Sequence, residues 1–151
     1  MINLNQESAE RLSTELRRLS LGDKGFFHPH EFDIESVRNI IKEEGNHYYI
    51  YLDGSGDFAG YGMLRTFGKY KAPTLGCVIW QEYRGRGNGK QLVQELISKA
   101  VELKCKKIRL KVHRGNRIAY EVYRKVGFAE TGASEGELTW MEYGGNNDGH
   151  V

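Results

Sequence analysis

The chain has 151 residues, a length that favours one domain, and its 22 Lys and Arg against 20 Asp and Glu give a net charge of only +2. So small an excess gives no indication of a nucleic-acid or membrane partner, and the sequence shows neither the roughly 18 apolar residues of a membrane span nor a secretory signal, so we expect a cytoplasmic protein. Glycine is the unusual feature: 19 residues are Gly, about twice the usual share of ~7%.

Hydrophobic periodicity predicts the secondary structure along the chain. Apolar residues three and four positions apart indicate helices, whereas alternating or continuous apolar runs indicate strands. In chain order we predict a short strand, helix 6–20, a loop over 21–33, helix 34–41, strands 47–52, 59–67 and 74–80, helix 90–104, strand 107–113, helix 117–126, and strands 127–131 and 137–143. This order predicts one mixed α/β domain over 1–143, followed by a flexible glycine-rich tail over 144–151.

Residues at the segment ends predict where the helices begin and end. Asp33 is a good N-cap for the helix that follows it, and Gly45 with Asn46 supplies a C-cap for the same helix. Gly127 is expected to close helix 117–126 as its C-cap. A loop over 132–136 is expected to join the last two strands.

The most specific feature is the segment Tyr83–Lys90 (YRGRGNGK), between a predicted buried strand and a predicted helix. Free N–H groups at a helix N-terminus attract anions, and glycines let the backbone approach a phosphate closely. The segment fits no P-loop, because Arg84 replaces the first glycine and Gln91 the hydroxyl residue. It fits no dinucleotide fingerprint either, because Lys90 replaces the third glycine. A basic surface turn is the alternative that involves no ligand.

Two motifs resemble those of the GNAT superfamily of acetyl-CoA-dependent N-acetyltransferases. The spacing Arg84-x-x-Gly87-x-Gly89 is similar to the family's pyrophosphate loop, which has Gln or Arg, then Gly, then Gly or Ala. The segment 116–128, with the pattern N-x-x-A-x-x-x-Y-x-x-x-G-F, is similar to a second family motif. The order of elements also resembles the family over residues 1–143.

The resemblance implies an α/β (α+β) fold, the GNAT fold. In it, a central mixed, mostly antiparallel sheet of six to seven strands is splayed between its fourth and fifth strands and flanked by four helices. Acetyl-CoA is implied as the co-substrate, lying in the splay, where a ligand would satisfy unpaired main-chain groups. The positions that match the family's cofactor contacts are Cys77, Val78 and Ile79 for the pantetheine and thioester, Arg84, Gly85, Arg86, Gly87, Asn88, Gly89 and Lys90 for the pyrophosphate, and Asn116.

By the same resemblance, Tyr123 matches the general acid that protonates the departing CoA thiolate. A phenol, with a reference pKa of about 10, is protonated at neutral pH and can donate. Both residues of this motif have alternative roles: Asn116 can cap helix 117–126, and Tyr123 can serve as a core aromatic.

The general base is less well defined. Many relatives carry a glutamate five residues before the Asn motif, where this chain has Lys111. We expect His113, on the same strand face as Lys111, to be the catalytic base, because imidazole titrates near working pH. His28, His30 and a water relay are the alternatives.

The aromatic loop 26–32 (FFHPHEF) matches the region that borders the acceptor site in the family. We expect Phe27, His28 and His30 to contact the substrate. Alternatively, the aromatic residues of this loop pin the neighbouring helices to the sheet. No metal site is expected, because no third ligand lies near the two histidines.

Together these features predict an acetyl-CoA-dependent N-acetyltransferase in which a primary amine attacks the thioester directly. The expected acceptor is a small-molecule amine. A protein N-terminus or lysine is one alternative, and a non-catalytic CoA-binding module is another. For the oligomeric state, a homodimer that pairs through an edge strand at 138–143 is considered alongside a monomer.

Overall fold

The predicted strands form one sheet in a computed structural model that describes residues 1–66 and 72–144. The strands found there are β1 (Ile2–Asn3), β2 (Asn46–Leu52), β3 (Phe58–Arg65), β4 (Thr74–Ile79), β5 (Lys107–His113), β6 (Ala129–Glu135) and β7 (Leu138–Gly144). Their order across the sheet is β1-β2-β3-β4-β5-β7-β6. Neighbouring strands are antiparallel except for β4 and β5, which are parallel. The predicted mixed, mostly antiparallel sheet is therefore confirmed.

Helices cover the sheet on both faces. They are α1 (Ala9–Arg17), α2 (Leu21–Phe26), α3 (Ile34–Ile40), α4 (Asn88–Glu102) and α5 (Arg117–Val126). Leu12 of α1 and Val37 of α3 pack with Tyr61 of β3 in one buried cluster, and Leu92 of α4 packs with Tyr123 of α5 in a second. We call the two sides of the sheet the α1–α3 face and the α4–α5 face. None of the helices in the described segments is long and apolar enough to cross a bilayer.

The main difference from the sequence-based prediction is α2, which occupies part of the segment 21–33 that we expected to be a loop. Ser20 caps this helix, since its Oγ accepts a hydrogen bond from the N–H of Asp23 at 3.0 Å. Gly22 and Gly25 make the sequence of this segment look like a loop, because glycine has a low helix propensity. The described residues therefore contain five helices where four were predicted.

One predicted helix end is also wrong. Asp33 caps α3 as predicted, with its carboxylate accepting from the Ser36 N–H at 3.1 Å. Gly45 and Asn46 do not close the helix, because α3 ends at Ile40 and the chain then tightens into turns through hydrogen bonds to carbonyls three residues back. At the other predicted C-cap, Gly127 does close α5, with φ of 116°.

The last two strands differ from the prediction as well. Residues 132–135, expected as a loop, belong to β6, because the left-handed Gly132 is absorbed as an irregularity in the pairing with β7. β7 extends to Gly144 and lies inside the sheet between β5 and β6, so the expectation of an edge strand at 138–143 is wrong. A dimer formed by edge pairing would have to use β6 or β1. The predicted strand end at Phe67 and the rest of the predicted tail, 145–151, lie outside the described residues.

The parallel pair β4 and β5 separates along its length. Only Thr74 and Arg109 are in register between them, with the Arg109 N–H donating to the Pro73 carbonyl at 2.9 Å. By contrast, β5 and β7 pair over seven residues. The sheet therefore opens beyond Thr74 into a V between its fourth and fifth strands, as predicted.

Candidate active site

The glycine-rich segment 83–90 connects the end of β4, after a short 3₁₀ turn, to the N-terminus of α4. Gly85 and Gly87 have left-handed backbone conformations, with φ of 76° and 81°. A Cβ placed on Gly85, Gly87 or Gly89 would meet no other atom within 4 Å, so all three border open space. Gly87 is the N-cap of α4, and no side chain in the described part of the protein caps this helix. The first-turn N–H groups are therefore free to bind an anion such as a pyrophosphate.

Arg84 fixes the start of this segment. Its Nε donates to the Ile79 carbonyl at 2.8 Å, and its guanidinium forms a two-bond contact with Asp23 of α2 at 3.1 and 3.2 Å. The side chain thus connects β4, the glycine segment and α2. Direct contact between Arg84 and a pyrophosphate stays a prediction, as it does for Arg86 and Lys90.

Two asparagines brace the local backbone. Asn88 donates to the Tyr83 carbonyl at 2.9 Å and accepts from the Tyr51 hydroxyl at 2.9 Å, which holds the glycine segment against β2. Asn116 accepts from the Ala119 N–H at 3.4 Å and is the N-cap of α5. The capping role considered for Asn116 is therefore present in the fold, and its contact with the cofactor stays a prediction.

Cys77 and Ile79 turn their main-chain groups toward the V. The Trp80 N–H is bonded to β3, and bonded positions alternate along an antiparallel pair, so Val78 faces β3 while Cys77 and Ile79 face β5. No strand of the described chain pairs with them there, since the β5 register stops at Thr74. Main-chain binding of pantetheine thus fits both main-chain groups of Cys77 and the N–H of Ile79, whose carbonyl already accepts from Arg84. Val78 would have to leave its pairing with β3.

Tyr123 reaches across the V from α5. Its hydroxyl lies 3.5 Å from the Sγ of Cys77, and its ring packs edge-on against Phe128 with centroids 5.8 Å apart. The side chain is only 8% exposed, and burial raises the pKa of Tyr123 well above its usual value, so the phenol is protonated at neutral pH. Tyr123 is therefore a core aromatic whose hydroxyl is also placed to donate a proton inside the V.

Lys111 and His113 lie on the other face of the sheet. Ile108, Leu110 and Val112 of β5 pack in the α4–α5 cluster, so the alternating side chains of Lys111 and His113 point to the α1–α3 face. Extending the register from Thr74 and Arg109 places these two residues level with Gly76 and Val78 across the V. Lys111 lies 3.8 Å from Glu135 and 5.2 Å from the Trp140 ring centre.

The geometry of His113 limits its action as a base. Its Nδ1 accepts the Gly115 N–H at 2.9 Å, and its ring lies 5.1 Å from that of Phe26. An imidazole that accepts at Nδ1 carries its proton on Nε2 when neutral, so its single lone pair is already in use. His113 would have to release Gly115 before it could take a proton from a substrate.

The aromatic segment 26–32 is attached to the sheet by His30. Its Nδ1 lies 2.7 Å from the Glu31 carbonyl and must donate to it, so Nε2 accepts from the buried Tyr61 hydroxyl at 2.9 Å. Burial lowers the pKa of His30, which favours this neutral form. Phe27 packs edge-on against Tyr61, with centroids 6.2 Å apart.

The segment therefore combines both roles considered for it. Phe32 is buried in the α1–α3 cluster, and Phe27 and His30 hold the chain to Tyr61, so these residues pin the segment to the sheet. His28 is half-exposed and 3.7 Å from Glu31. Of the three predicted substrate contacts, His28 is the one whose side chain faces solvent.

Sequence reasoning missed several residues that shape this region. Asp23 of α2 binds Arg84, while Phe26, which belongs to the predicted aromatic loop, contacts His113 across the end of the V, so α2 bridges the two strands that separate. The sequence pattern identifies Tyr61 only as part of a strand. The Ser20-x-x-Asp23 spacing was a usable signal for α2, because a hydroxyl followed three residues later by a carboxylate is typical of a helix start. No local signal pairs His30 with Tyr61.

Comparison with known proteins agrees with this geometry. The model of the acetyltransferase (GNAT) family matches residues 13–128. A spermidine N-acetyltransferase from Vibrio cholerae, solved with CoA and spermine, superposes with a TM-score of 0.79 at 16% identity, over 93% of this chain and 91% of that one. A dodecameric structure of the V. cholerae enzyme gives 0.78 at 17% identity, over 97% and 94%. At this identity the likeness establishes the fold. Among curated protein sequences none matches.

The fold and site thus define an acyl-transferring enzyme with its co-substrate cleft between two separated parallel strands. The chain belongs to the acetyltransferase (GNAT) family, and acetyl-CoA is its co-substrate. The residues present fit that molecule: Gly85, Gly87 and Gly89 border open space at a helix N-terminus, and Cys77 and Ile79 direct main-chain groups into the V.

Proposed function

We propose that this acetyltransferase transfers the acetyl group to the primary amine of a small molecule, with Tyr123 as the general acid. The observation that carries the proposal is the buried Tyr123 hydroxyl, placed in the V beside Cys77. The small acceptor is supported by the structural neighbours, which are described as spermidine N-acetyltransferases. It is also supported by the aromatic segment 26–32, which is attached to the sheet. Phe26 of this segment borders the V, and the His28 side chain is half-exposed.

Acetyl-CoA supplies the acetyl group as a thioester and departs as a thiol. The Cys77 N–H, directed into the V, is placed to donate to the carbonyl oxygen on which negative charge develops. Tyr123 holds its proton until the sulfur takes up the electron pair of the breaking bond, because its raised pKa keeps the phenol neutral until then.

The proton of the attacking amine leaves on the α1–α3 face of the sheet, opposite the face that carries Tyr123. Because the lone pair of His113 accepts from Gly115, we propose that water carries this proton away and that His113 shapes the acceptor side together with Phe26. His28, which is half-exposed, is proposed to border the acceptor.

The test measures thiol release from acetyl-CoA with spermidine, an amino sugar, an amino acid amide and a peptide with a free N-terminus. We expect turnover with at least one small amine and a drop of about 100-fold or more in kcat for Tyr123→Phe, the low end for loss of a general acid. CoA affinity should be unchanged in this variant, which removes a single oxygen. Turnover with the peptide but with none of the small amines would contradict the proposed acceptor. The absence of turnover with every amine tested would contradict it as well.

A further inference from the structure

Cys77 contributes to the V with two different groups. Its main chain faces β5, while its side chain lies on the α4–α5 face, 3.5 Å from the hydroxyl of Tyr123. Among the described residues, the Cys77 thiol is the one hydrogen-bond partner of the Tyr123 hydroxyl. The position of one residue therefore sets both the main-chain donor and the orientation of the phenol.

The thiol is chemically suited to two successive tasks. Burial raises the pKa of Cys77 to about 11 and that of Tyr123 well above its usual value, so both groups are neutral at working pH. A neutral thiol offers one weak donor and one weak acceptor. It can accept from the phenol O–H in one state and donate to the phenol oxygen in another by rotating its S–H bond.

We propose that Cys77 is a positioning residue for Tyr123: its thiol orients the phenol in the V and donates to the phenol oxygen as Tyr123 gives up its proton. The inference rests on the proposed function. The C–N bond forms as the C–S bond breaks, and the electron pair of the C–S bond goes to sulfur, which takes the proton from Tyr123. Water accepts the amine proton and later returns one to Tyr123. Cys77 keeps its proton throughout and is unchanged by a cycle.

The kinetic test compares Cys77→Ala and Cys77→Ser, each with Tyr123 intact and in a Tyr123→Phe background. We expect Cys77→Ala to lower kcat about three- to tenfold, the net effect of one hydrogen bond, with little change in KM for acetyl-CoA. Cys77→Ser keeps a donor and an acceptor and should recover most of the loss. With Phe at 123, Cys77→Ala should have no further effect.

A cysteine outside this contact provides the matched control. Cys105 is partly buried, and Cys105→Ser should leave kcat unchanged. An equal loss from Cys77→Ala in the Tyr123→Phe background, or no recovery with serine, would overturn the inference, because packing alone would produce both results.

A measurement on the free protein separates this inference from the proposed function. In a Cys105→Ser background Cys77 is the single thiol, so its S–H stretching band can be followed by Raman spectroscopy. We expect Tyr123→Phe to move this band toward the position of a thiol without a hydrogen bond. An unmoved band would overturn the inference whether or not any amine is acetylated. Conversely, a moved band without turnover would contradict the proposed function alone.

Discussion

The two faces of the sheet reach their geometry in different ways. On the α4–α5 face, the helix starts that border the cleft are set by residues close in sequence: Gly87 caps α4, and Asn116 caps α5 three residues before its partner Ala119. Two longer contacts, Tyr51 with Asn88 and Cys77 with Tyr123, then connect these elements to the sheet. On the α1–α3 face, the contacts join distant residues. His30 and Tyr61 are 31 positions apart, and Asp23 and Arg84 are 61 apart.

The two faces therefore depend on different kinds of contact. Local motifs on the α4–α5 face set the left-handed glycines and the free N–H groups at the start of α4. Non-local side-chain pairs on the α1–α3 face fix α2 and the segment 26–32 beside the V. The His30–Tyr61 pair can therefore be changed without touching the glycine segment, whereas the Asp23–Arg84 pair connects α2 directly to it.

Of the variants that distinguish the two faces, Gly87→Ala on the α4–α5 face is expected to have the largest effect. A residue with a Cβ in the left-handed region costs roughly 1–2 kcal/mol, so the affinity for CoA should fall about tenfold, as measured by calorimetry. If the exposed glycine segment relaxes in the free protein, the cost falls on binding and urea unfolding is nearly unaltered. A free energy of unfolding lowered by the same roughly 1–2 kcal/mol, with unchanged CoA affinity, would contradict the prediction.

Gly89→Ala is the matched control for this variant. Gly89 lies in the first turn of α4, is not in the left-handed region, and has open space where a Cβ would be. The family pattern resembled by this segment also accepts alanine there. Equal losses of CoA affinity in the two variants would show that crowding by a methyl group, and not backbone conformation, controls binding.

The same contrast explains how much could be predicted from the sequence. The glycine segment and the helix with Tyr123 follow from short patterns, because a left-handed glycine or an N-cap needs only its immediate neighbours, whereas the V is expected only from the family resemblance. The helix α2 was missed despite its Ser20 cap, since Gly22 and Gly25 outweighed that signal. The partners of His30 and Arg84 were out of reach, because they depend on how distant strands and helices pack. The edge position of β6 likewise follows from pairing order, which periodicity does not encode.

On the α1–α3 face, His30→Gln should change how the free energy of unfolding depends on pH. Burial lowers the pKa of His30 in the folded state, so below the unfolded value of 6.5 the unfolded chain binds more protons and stability is lost as pH falls. Protonation of Nε2 removes the acceptor for the Tyr61 hydroxyl, and this change belongs to the same titration. Gln keeps an acceptor for Tyr61 and does not titrate.

Urea unfolding of both proteins at about pH 8 and about pH 5.5 measures this effect. The wild type should lose more stability than His30→Gln between the two, by up to about 1.4 kcal/mol, because pH 5.5 lies about one unit below the unfolded value. The groups around His30 are Arg65, Glu43 and His28, and because both proteins contain them the difference isolates His30. Parallel pH dependence in the two proteins would show that the contact with Tyr61 does not control the titration.

The smallest effect is expected for His113→Gln, which tests the acceptor side directly. If water removes the amine proton, the pH–rate profile should keep its shape and kcat should fall by less than about threefold, since Gln can still contact Phe26 and accept from Gly115. A base of this kind usually contributes ~10²-fold or more. In contrast, the wild-type decrease in rate at low pH could disappear in His113→Gln while kcat falls by ~10²-fold or more. That result would show that Nδ1 releases Gly115 during turnover and that His113 is the base. His28→Gln tests the other half-exposed candidate base, which lies on the same segment as Phe26. An unchanged profile in both variants would leave the amine proton to solvent, and the acceptor side would then act by shape alone.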